Sequence, residues 1–408
     1  MLNTSAATGI NQSNNSINNN LKDEKNDDEI TSEVCPLSFY EESGFYHNHL
    51  EYTNKYLYDP NQFVDQFHKS IKEKNFNKLR SLRILIQQQT IDICRSRVYN
   101  YRPIDGEFSL DKKKRIELSE KILVNASVKS KYYKNEGLEV SEKVGDLEKT
   151  QVLVINGDCI DIAFHIQDLL IKEGKFGKER VAVLNMANPN TPGGGYKGGC
   201  GAQEENLHRR SNLYQCLDNY VDKIDKTRTW NYPIGYESGV YSPDVTFFRG
   251  CEAKGYPLLS APRLVDVITT AAVPNSLNHG DGEIDERNIG SIEAILKIAV
   301  QHGVRNVVLS ALGCGAFRNS PTAIAKVFKE KIEGPQFKGH FDRLYFAIIE
   351  DHNSKKGHNP DGNIKPFVQV FNDYLKDRTD VTELTDSQFN YDYDNMNDVY
   401  QQYYEESR

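Results

Sequence analysis

Residues 181–207 read VAVLNMANPNTPGGGYKGGCGAQEENL. The run VAVL is short, continuous and apolar, the mark of a strand buried on both faces. A loop follows in which six of nine residues from Gly193 to Gly201 are glycine. A helical pattern then opens at Gln203, with an apolar stripe of Leu207, Tyr214, Leu217 and Val221. Strand, loop and helix in that order form one unit of an α/β layered fold, where ligands sit beyond the carboxyl ends of the strands. The missing side chains of the loop let backbone amides approach a ligand closely, and pyrophosphate is the usual ligand of such a loop.

Outward from this stretch the same texture repeats. VLVI (152–155) precedes a helix carrying Ile162, Ile166 and Leu169. Further on come VDVITTAAV (265–273), a helix across Ile292 to Val300, VVLSAL (307–312), a helix after Pro321, and LYFAII (344–349). Strands alternating with helices predict a sheet covered on both faces. Upstream, residues from about 61 to 130 read as helical: Leu79, Leu82, Ile86 and Ile93 lie on one face until Pro103 and Gly106 break the pattern.

The ends are different. Apolar types make up 38% of the 408 residues, below the usual globular share of about 45–50%. The dilution lies in an Asn-rich, charged head (residues 1 to about 33), read as disordered, and in a Tyr/Asp tail. That tail alternates without a helical or strand period and reads as flexible and acidic, its tyrosines 391, 393, 400, 403 and 404 leaving room for a docking segment. The expected division is a largely disordered segment (1–60), a helical extension packed on the catalytic domain (61–150), the catalytic domain (151–380) and the tail (381–408).

Composition also bounds the function. No run of about 18 apolar residues occurs, and the first residues lack the basic start and apolar stretch of a signal peptide. The seven cysteines are scattered and form no Cys-x-x-Cys pair, which fits a reducing compartment, cytoplasmic or nuclear. With a net charge of −8 the chain has no global field for a polyanion, so attraction to one must be local.

A second loop, Gly313-Cys314-Gly315-Ala316-Phe317-Arg318-Asn319-Ser320-Pro321, follows VVLSAL and leads into a helix with Ser320 as N-cap and Pro321 in the first turn. It is a second candidate anion cradle, and the Phe317 ring is placed either to anchor the core or to pack on a sugar or base. Gly193-x-Gly195-x-x-Gly198 matches a dinucleotide-binding string, but Asn188 to Pro192 separates strand from glycines. The acidic residue at the required distance, Asp218, falls in a helix, which disfavours a nicotinamide-dependent oxidoreductase. Glu204 and Glu205 are adjacent on a helix and diverge by about 100°, so they must divide roles. His47 and His49 near Cys35 form a lone His-x-His in a polar segment, which is usually solvated, and His165, His208 and His302 lack partners at ligand spacing, so neither a metal nor another cofactor is expected. Cys200 and Cys314 have no neighbouring His in sequence to activate them and read as small residues chosen for space.

Gly193-Gly194-Gly195, seven residues, then Gln203-Glu204-Glu205 resembles the signature of the microbial-type poly(ADP-ribose) glycohydrolases, a branch of the macrodomain superfamily. QQQTIDICRSRVYNY (87–101), GVYSPDVTFFR (239–249), VITTAAVPN (267–275), LSALGCGAFRNSP (309–321) and FDRLYFAII (341–349) occur in the family's order, so the resemblance spans about residues 80–375. It implies a macrodomain-like three-layer α/β/α fold with a mixed central sheet and a helical N-terminal extension. It also implies hydrolysis of ribose–ribose bonds in poly(ADP-ribose) or on ADP-ribosylated proteins, with ADP-ribose as product and neither a membrane nor a specific nucleic-acid sequence as partner. By the resemblance Glu205 is catalytic, Glu204 holds ribose hydroxyls, Gln203 belongs to the substrate-binding signature and Asn188 meets the distal ribose. Gly193, Gly194 and Gly195 cover the scissile end, Gly313, Gly315 and Ala316 belong to the diphosphate loop, and Phe317 orients the ribose. Asp158 either bonds adenine or caps the helix after the first strand. A non-catalytic ADP-ribose reader, or an enzyme that removes single ADP-ribose units from protein, is the alternative.

Overall fold

A computed structural model describes residues 59–407 apart from 102, 104–113, 141–149, 219–229, 231, 276–283, 352, 376–384, 386 and 394–397. The expected disordered head, with Cys35, His47 and His49, and the stripe residue Val221 lie outside the described residues. All described residues belong to one compact unit, Ser32–Arg408.

The fold is organised by strands whose alternate residues feed two cores. In β4 (Gln151–Asn156), Val152 and Val154 face one core while Leu153 and Ile155 face the other. The same division holds in β5 (Val181–Ala187), where Ala182 and Leu184 oppose Val181, Val183 and Ala187. A strand that buries both faces must be continuously apolar, which is why these runs stood out in the sequence. With β3 (Lys131–Lys134), β6 (Ser238–Arg249), β7 (Leu258–Ala271), β8 (Asn306–Leu309) and β9 (Arg343–Ile348) they form a mixed sheet of order β3-β6-β7-β5-β8-β9-β4. β3, β6 and β7 run antiparallel to their neighbours in that order, whereas the pairings from β7 through β5, β8 and β9 to β4 are parallel.

On one face pack α4 (Cys159–Lys172), α5 (Gln203–Arg210) and α6 (Leu213–Leu217); on the other pack α7 (Glu286–Gln301), α8 (Pro321–Glu333) and α9 (Ile364–Val370). This is the three-layer α/β/α arrangement with a mixed sheet. Before it come α1 (Pro60–Lys72) and α2 (Phe76–Ser96), which form the helical N-terminal extension.

Four readings need correction. Residues 61–130 are not all helical: β1 (Val98–Tyr101) and β2 (Lys114–Glu117) pair antiparallel before α3 (Glu120–Lys129). Tyr99 and Tyr101 alternate inward there, a period of two that the strong periodicity of α2 masks. Strand β6 escaped the apolar-run reading because Pro243 and Asp244 interrupt it; the register shifts between Ser242 and Val245, with Asp244 at φ +53°. The single helix expected from Gln203 onward is two, broken at Ser211, which bridges to Phe247 of β6.

The fourth concerns the tail, which packs instead of floating. The Phe389 amide donates to Asn156 O on the open edge of β4 at 2.6 Å, and the Tyr391 and Tyr393 hydroxyls donate to Asp168 and Asp161 of α4 at 2.6 and 2.5 Å. In α10 (Asp398–Ser407), Tyr404 is buried against Ile122 and its hydroxyl accepts from the Ser119 amide. Tyrosine buries a large ring whenever its hydroxyl finds a partner, and that partner is invisible in a polar tail read alone.

Candidate active site

Since β5, β8, β9 and β4 are parallel neighbours, the loops at their carboxyl ends open on one edge of the sheet. The glycine loop leaves β5 at the centre, Gly313–Phe317 leaves β8, and Asn156-Gly157-Asp158 leaves β4 three strands away, about 14 Å at the usual strand spacing. An extended ligand laid along that edge would meet all three.

The glutamates enter from the first turn of α5, both buried, at 4% and 7% exposure. Glu204 uses both oxygens: Oε2 accepts from the Asn188 amide at 2.8 Å and Oε1 from the Gly193 amide at 3.0 Å. Glu205 uses one. Its Oε1 accepts from the Gly195 amide at 2.9 Å, while Oε2 is buried with no partner among the described residues. Amides of Gly193 and Gly195 thus hold carboxylates, and the Gly194 amide donates to Thr191 O. The pyrophosphate cradle expected from these glycines is therefore not built from their amides. The glycines serve close packing. A Cβ on Gly194, at φ +54°, would stand 2.7 Å from Glu205 Oε1 and 2.9 Å from Glu204 Oε2. One on Gly195 would meet Cys200 Sγ at 2.5 Å, and one on Gly199, at φ +74°, would meet Arg80 O of α2 at 2.4 Å.

Both carboxylates reach the same point above Gly194, and two charges that close ionise together only at a cost. Burial, the largest cause, and the Glu205 carboxylate push Glu204 well above the usual range, against the lowering pull of its two amides. His208, fully buried, lies between the Glu204 carbonyl, on its Nδ1 at 2.9 Å, and the Tyr196 ring. Burial drives its pKa down to about 4, so it is a neutral packing element of the loop at neutral pH.

The Gly313–Phe317 loop is the opposite case. Among the described residues no acceptor takes the amides of Gly315, Ala316 or Phe317, and a Cβ on Gly315 would meet nothing closer than Asn353 at 4.0 Å. Successive amides left free on an open face are an anion cradle. Gly313, at φ +71°, is instead packed against Asn319 and Ala272. Asn319 donates to Val273 O at 2.9 Å and accepts from Asn288, while His358 Nε2 bonds Cys314 O at 2.9 Å. Phe317 is half-buried against the core.

Three expected substrate residues are committed elsewhere in whole or part. Gln203 accepts from Met186 N and donates to Leu184 O, so its amide clamps α5 to β5 and does not reach for substrate. Asn188 Oδ1 accepts from the Asn190 and Thr191 amides, a turn that shapes the loop. Asp158 does cap α4, accepting from the Ile160 and Asp161 amides, and also accepts from Arg210 at 2.7 Å.

Sequence reasoning missed the supports. Arg210, fully buried, binds Asp158 and Asp161 together, and Asp161, pushed up to about 7 by burial and by Asp158, also takes the Tyr393 hydroxyl. Arg83 of α2 pairs with Glu252 at 2.7 Å beneath Gly201. A basic residue inside a helix gives no sequence signal of burial, because its partners lie far along the chain.

Residues 88–250 match the family model of the catalytic domain of microbial-type PARG. The chain carries a microbial-type PARG catalytic domain. No curated protein matches. Among solved structures, it is similar to poly(ADP-ribose) glycohydrolase (PARG) from Thermomonospora curvata, with 26% identity, TM-score 0.54, and coverage of 71% of this chain and 99% of that one. The same enzyme bound to the inhibitor ADP-HPD matches at 27% identity, with the same TM-score and coverage. The PARG domain makes this chain a glycoside hydrolase of the PARG type. Among the described residues, no helix is long and apolar enough to cross a membrane.

Proposed function

We propose that the PARG domain hydrolyses ribose–ribose O-glycosidic bonds in poly(ADP-ribose), releasing ADP-ribose, with Glu205 as acid and then base. One observation carries this: Glu205 Oε2 is the carboxylate oxygen of the pair left buried and unpartnered, while Glu204 is tied by both oxygens. In the first step protonated Glu205 gives its proton to the leaving ribose hydroxyl oxygen as the anomeric C–O bond breaks through an oxocarbenium-like state. In the second, ionised Glu205 takes a proton from water as the water oxygen bonds the anomeric carbon. Since the two carboxylates cannot oppose each other across the bond, one residue serves both steps.

The remaining assignments follow the edge of the sheet. Amides of Gly315, Ala316 and Phe317 bind diphosphate, the Phe317 ring orients ribose, Glu204 with Asn188 meets ribose hydroxyls, and Asp158 Oδ2 meets adenine. Gly193–Gly195 covers the scissile end.

Glu205→Gln tests the proposal. Its carbonyl oxygen still accepts from Gly195, so ADP-ribose affinity should stay within about threefold while turnover falls by at least about a thousandfold, the order expected for an acid/base group used twice. Near wild-type release of ADP-ribose by this variant would remove Glu205 from the chemistry. Gel assays on poly(ADP-ribose) and on mono-ADP-ribosylated protein separate chain cleavage from removal of single units; turnover of the second substrate alone would replace the proposed activity with the single-unit reaction.

A further inference from the structure

The corner between α1 and α2 holds a charge pattern that the site above does not use. From Lys69 to Arg83 there are six basic residues and one acid, Glu73, in a chain of net charge −8. Lys69, Lys72, Lys74 and Arg80 are exposed, and among the described residues none is in an ion pair. Between them Phe76 is 65% exposed, the most exposed large hydrophobic among the described residues.

Position gives this patch its meaning. Phe76, Arg80 and Arg83 fall at helical spacings of four and three and so share one face of α2, with Phe76 about 6 Å from Arg80 along the axis. That helix abuts the catalytic loop: Arg80 O closes on Gly199, and the Arg83 guanidinium on Gly201. The Arg83–Glu252 pair fixes the inner end of the stripe. Basic residues interleaved with an exposed ring suit a strand with phosphates and bases, since amines neutralise phosphates and an aromatic face stacks on any base. A bilayer would be a poorer match, because only Ile71 and Phe76 offer exposed large apolar surface here.

We infer that the α1–α2 corner is a second binding surface for the polymeric substrate, with Lys69, Lys72 and Lys74 on diphosphates and Phe76 on an adenine of units beyond the two joined by the bond being cleaved. This rests on the poly(ADP-ribose) reading above. The surface makes the enzyme prefer long chains and makes that preference salt-dependent.

The test uses the full chain with Lys69→Gln/Lys72→Gln/Lys74→Gln and, separately, Phe76→Ala; Arg80 is kept because its backbone braces the loop. Steady-state kinetics are run on long poly(ADP-ribose) and on the ADP-ribose dimer across a salt series. The triple variant should raise KM for long chains about tenfold and flatten the log–log salt slope by about 2, at about 0.7 per phosphate contact on a single strand. Phe76→Ala should raise the same KM about fivefold or more and leave the slope alone. For both variants kcat, and all constants on the dimer, should stay within about twofold, since no charge contact to the cleaved unit is lost. Equal losses on both substrates, or none on long chains, overturn the surface. Wild-type protein that cleaves neither substrate fails the underlying activity and the surface with it; wild-type cleavage of both with unaltered variants fails the surface alone. If the triple variant keeps long-chain kinetics but no longer sediments with phosphatidylserine vesicles, the patch is a membrane contact and the inference is wrong.

Discussion

Glu204→Gln separates anchoring from chemistry more sharply than any other change at this site. The native carboxylate presents an oxygen to the Asn188 amide at 2.8 Å and another to the Gly193 amide at 3.0 Å. A glutamine has one oxygen, so in either orientation its NH2 opposes one of those N–H groups. The variant loses one hydrogen bond to a charged group, about 1.5–3 kcal/mol, and leaves a buried donor unmatched. Some of that is returned, because burial already pushes the Glu204 carboxyl well above its usual range and the neutral amide is free of that desolvation cost. A net loss of about 1–3 kcal/mol remains, which lowers Tm by about 5 °C at the few degrees per kcal/mol typical of domains this large. Because the disturbed segment is the glycine loop itself, ADP-ribose affinity should drop about tenfold or more, each 1.4 kcal/mol being a factor of ten. Thermal unfolding and calorimetric titration with ADP-ribose, beside Glu205→Gln, read both effects. Glu204→Gln with wild-type Tm and an ADP-ribose Kd within twofold of wild type would refute the claim that Glu204 holds the loop by its amides.

Three further outcomes are expected. Gly199→Ala, forced to φ +74° with its Cβ 2.4 Å from Arg80 O, should cost at least about 1–2 kcal/mol from the backbone alone and lower kcat, whereas Gly198→Ala, with nothing within 4 Å, should be neutral in the same melts and assays. Tyr393→Phe removes the donor to Asp161 and the acceptor of the Cys251 amide, so chemical denaturation should show a loss of about 1–3 kcal/mol; an unchanged midpoint would mean the tail does not brace this region. His208 has a folded pKa lowered to about 4 from 6.5, so the stability of its neutral form is complete above 6.5 and is lost as pH falls toward 4. That amounts to about 3 kcal/mol at 1.36 kcal/mol per unit. His208→Asn, which keeps a donor for the Glu204 carbonyl, should flatten the stability–pH curve between 6.5 and 4, as measured by urea titrations across that range.

Local order was readable where one residue's surroundings are set by its sequence neighbours. A parallel strand buried on both faces must be an apolar run, so β4, β5, β8 and β9 declared themselves, and glycine followed by a helix start marked both loops. The Asn-Gly-Asp turn could be read as a cap or a contact, and the cap is formed. By contrast, β6 hid behind Pro243, and the tail tyrosines found partners on α4 more than two hundred residues away.

For the site itself, the sequence alone determined that a glycine triplet, a glutamate pair and a second glycine loop lie at the carboxyl ends of strands, because those residue types and their positions after apolar runs are local properties. Only the tertiary structure decided what each does. The Gly193 and Gly195 amides grip the carboxylates and leave Glu205 Oε2 alone, the Gly315–Phe317 amides stay free among the described residues, and α2 closes on Gly199 and Gly201. Those roles depend on which donors a fold leaves unpaired, and pairing is settled between segments that are distant along the chain.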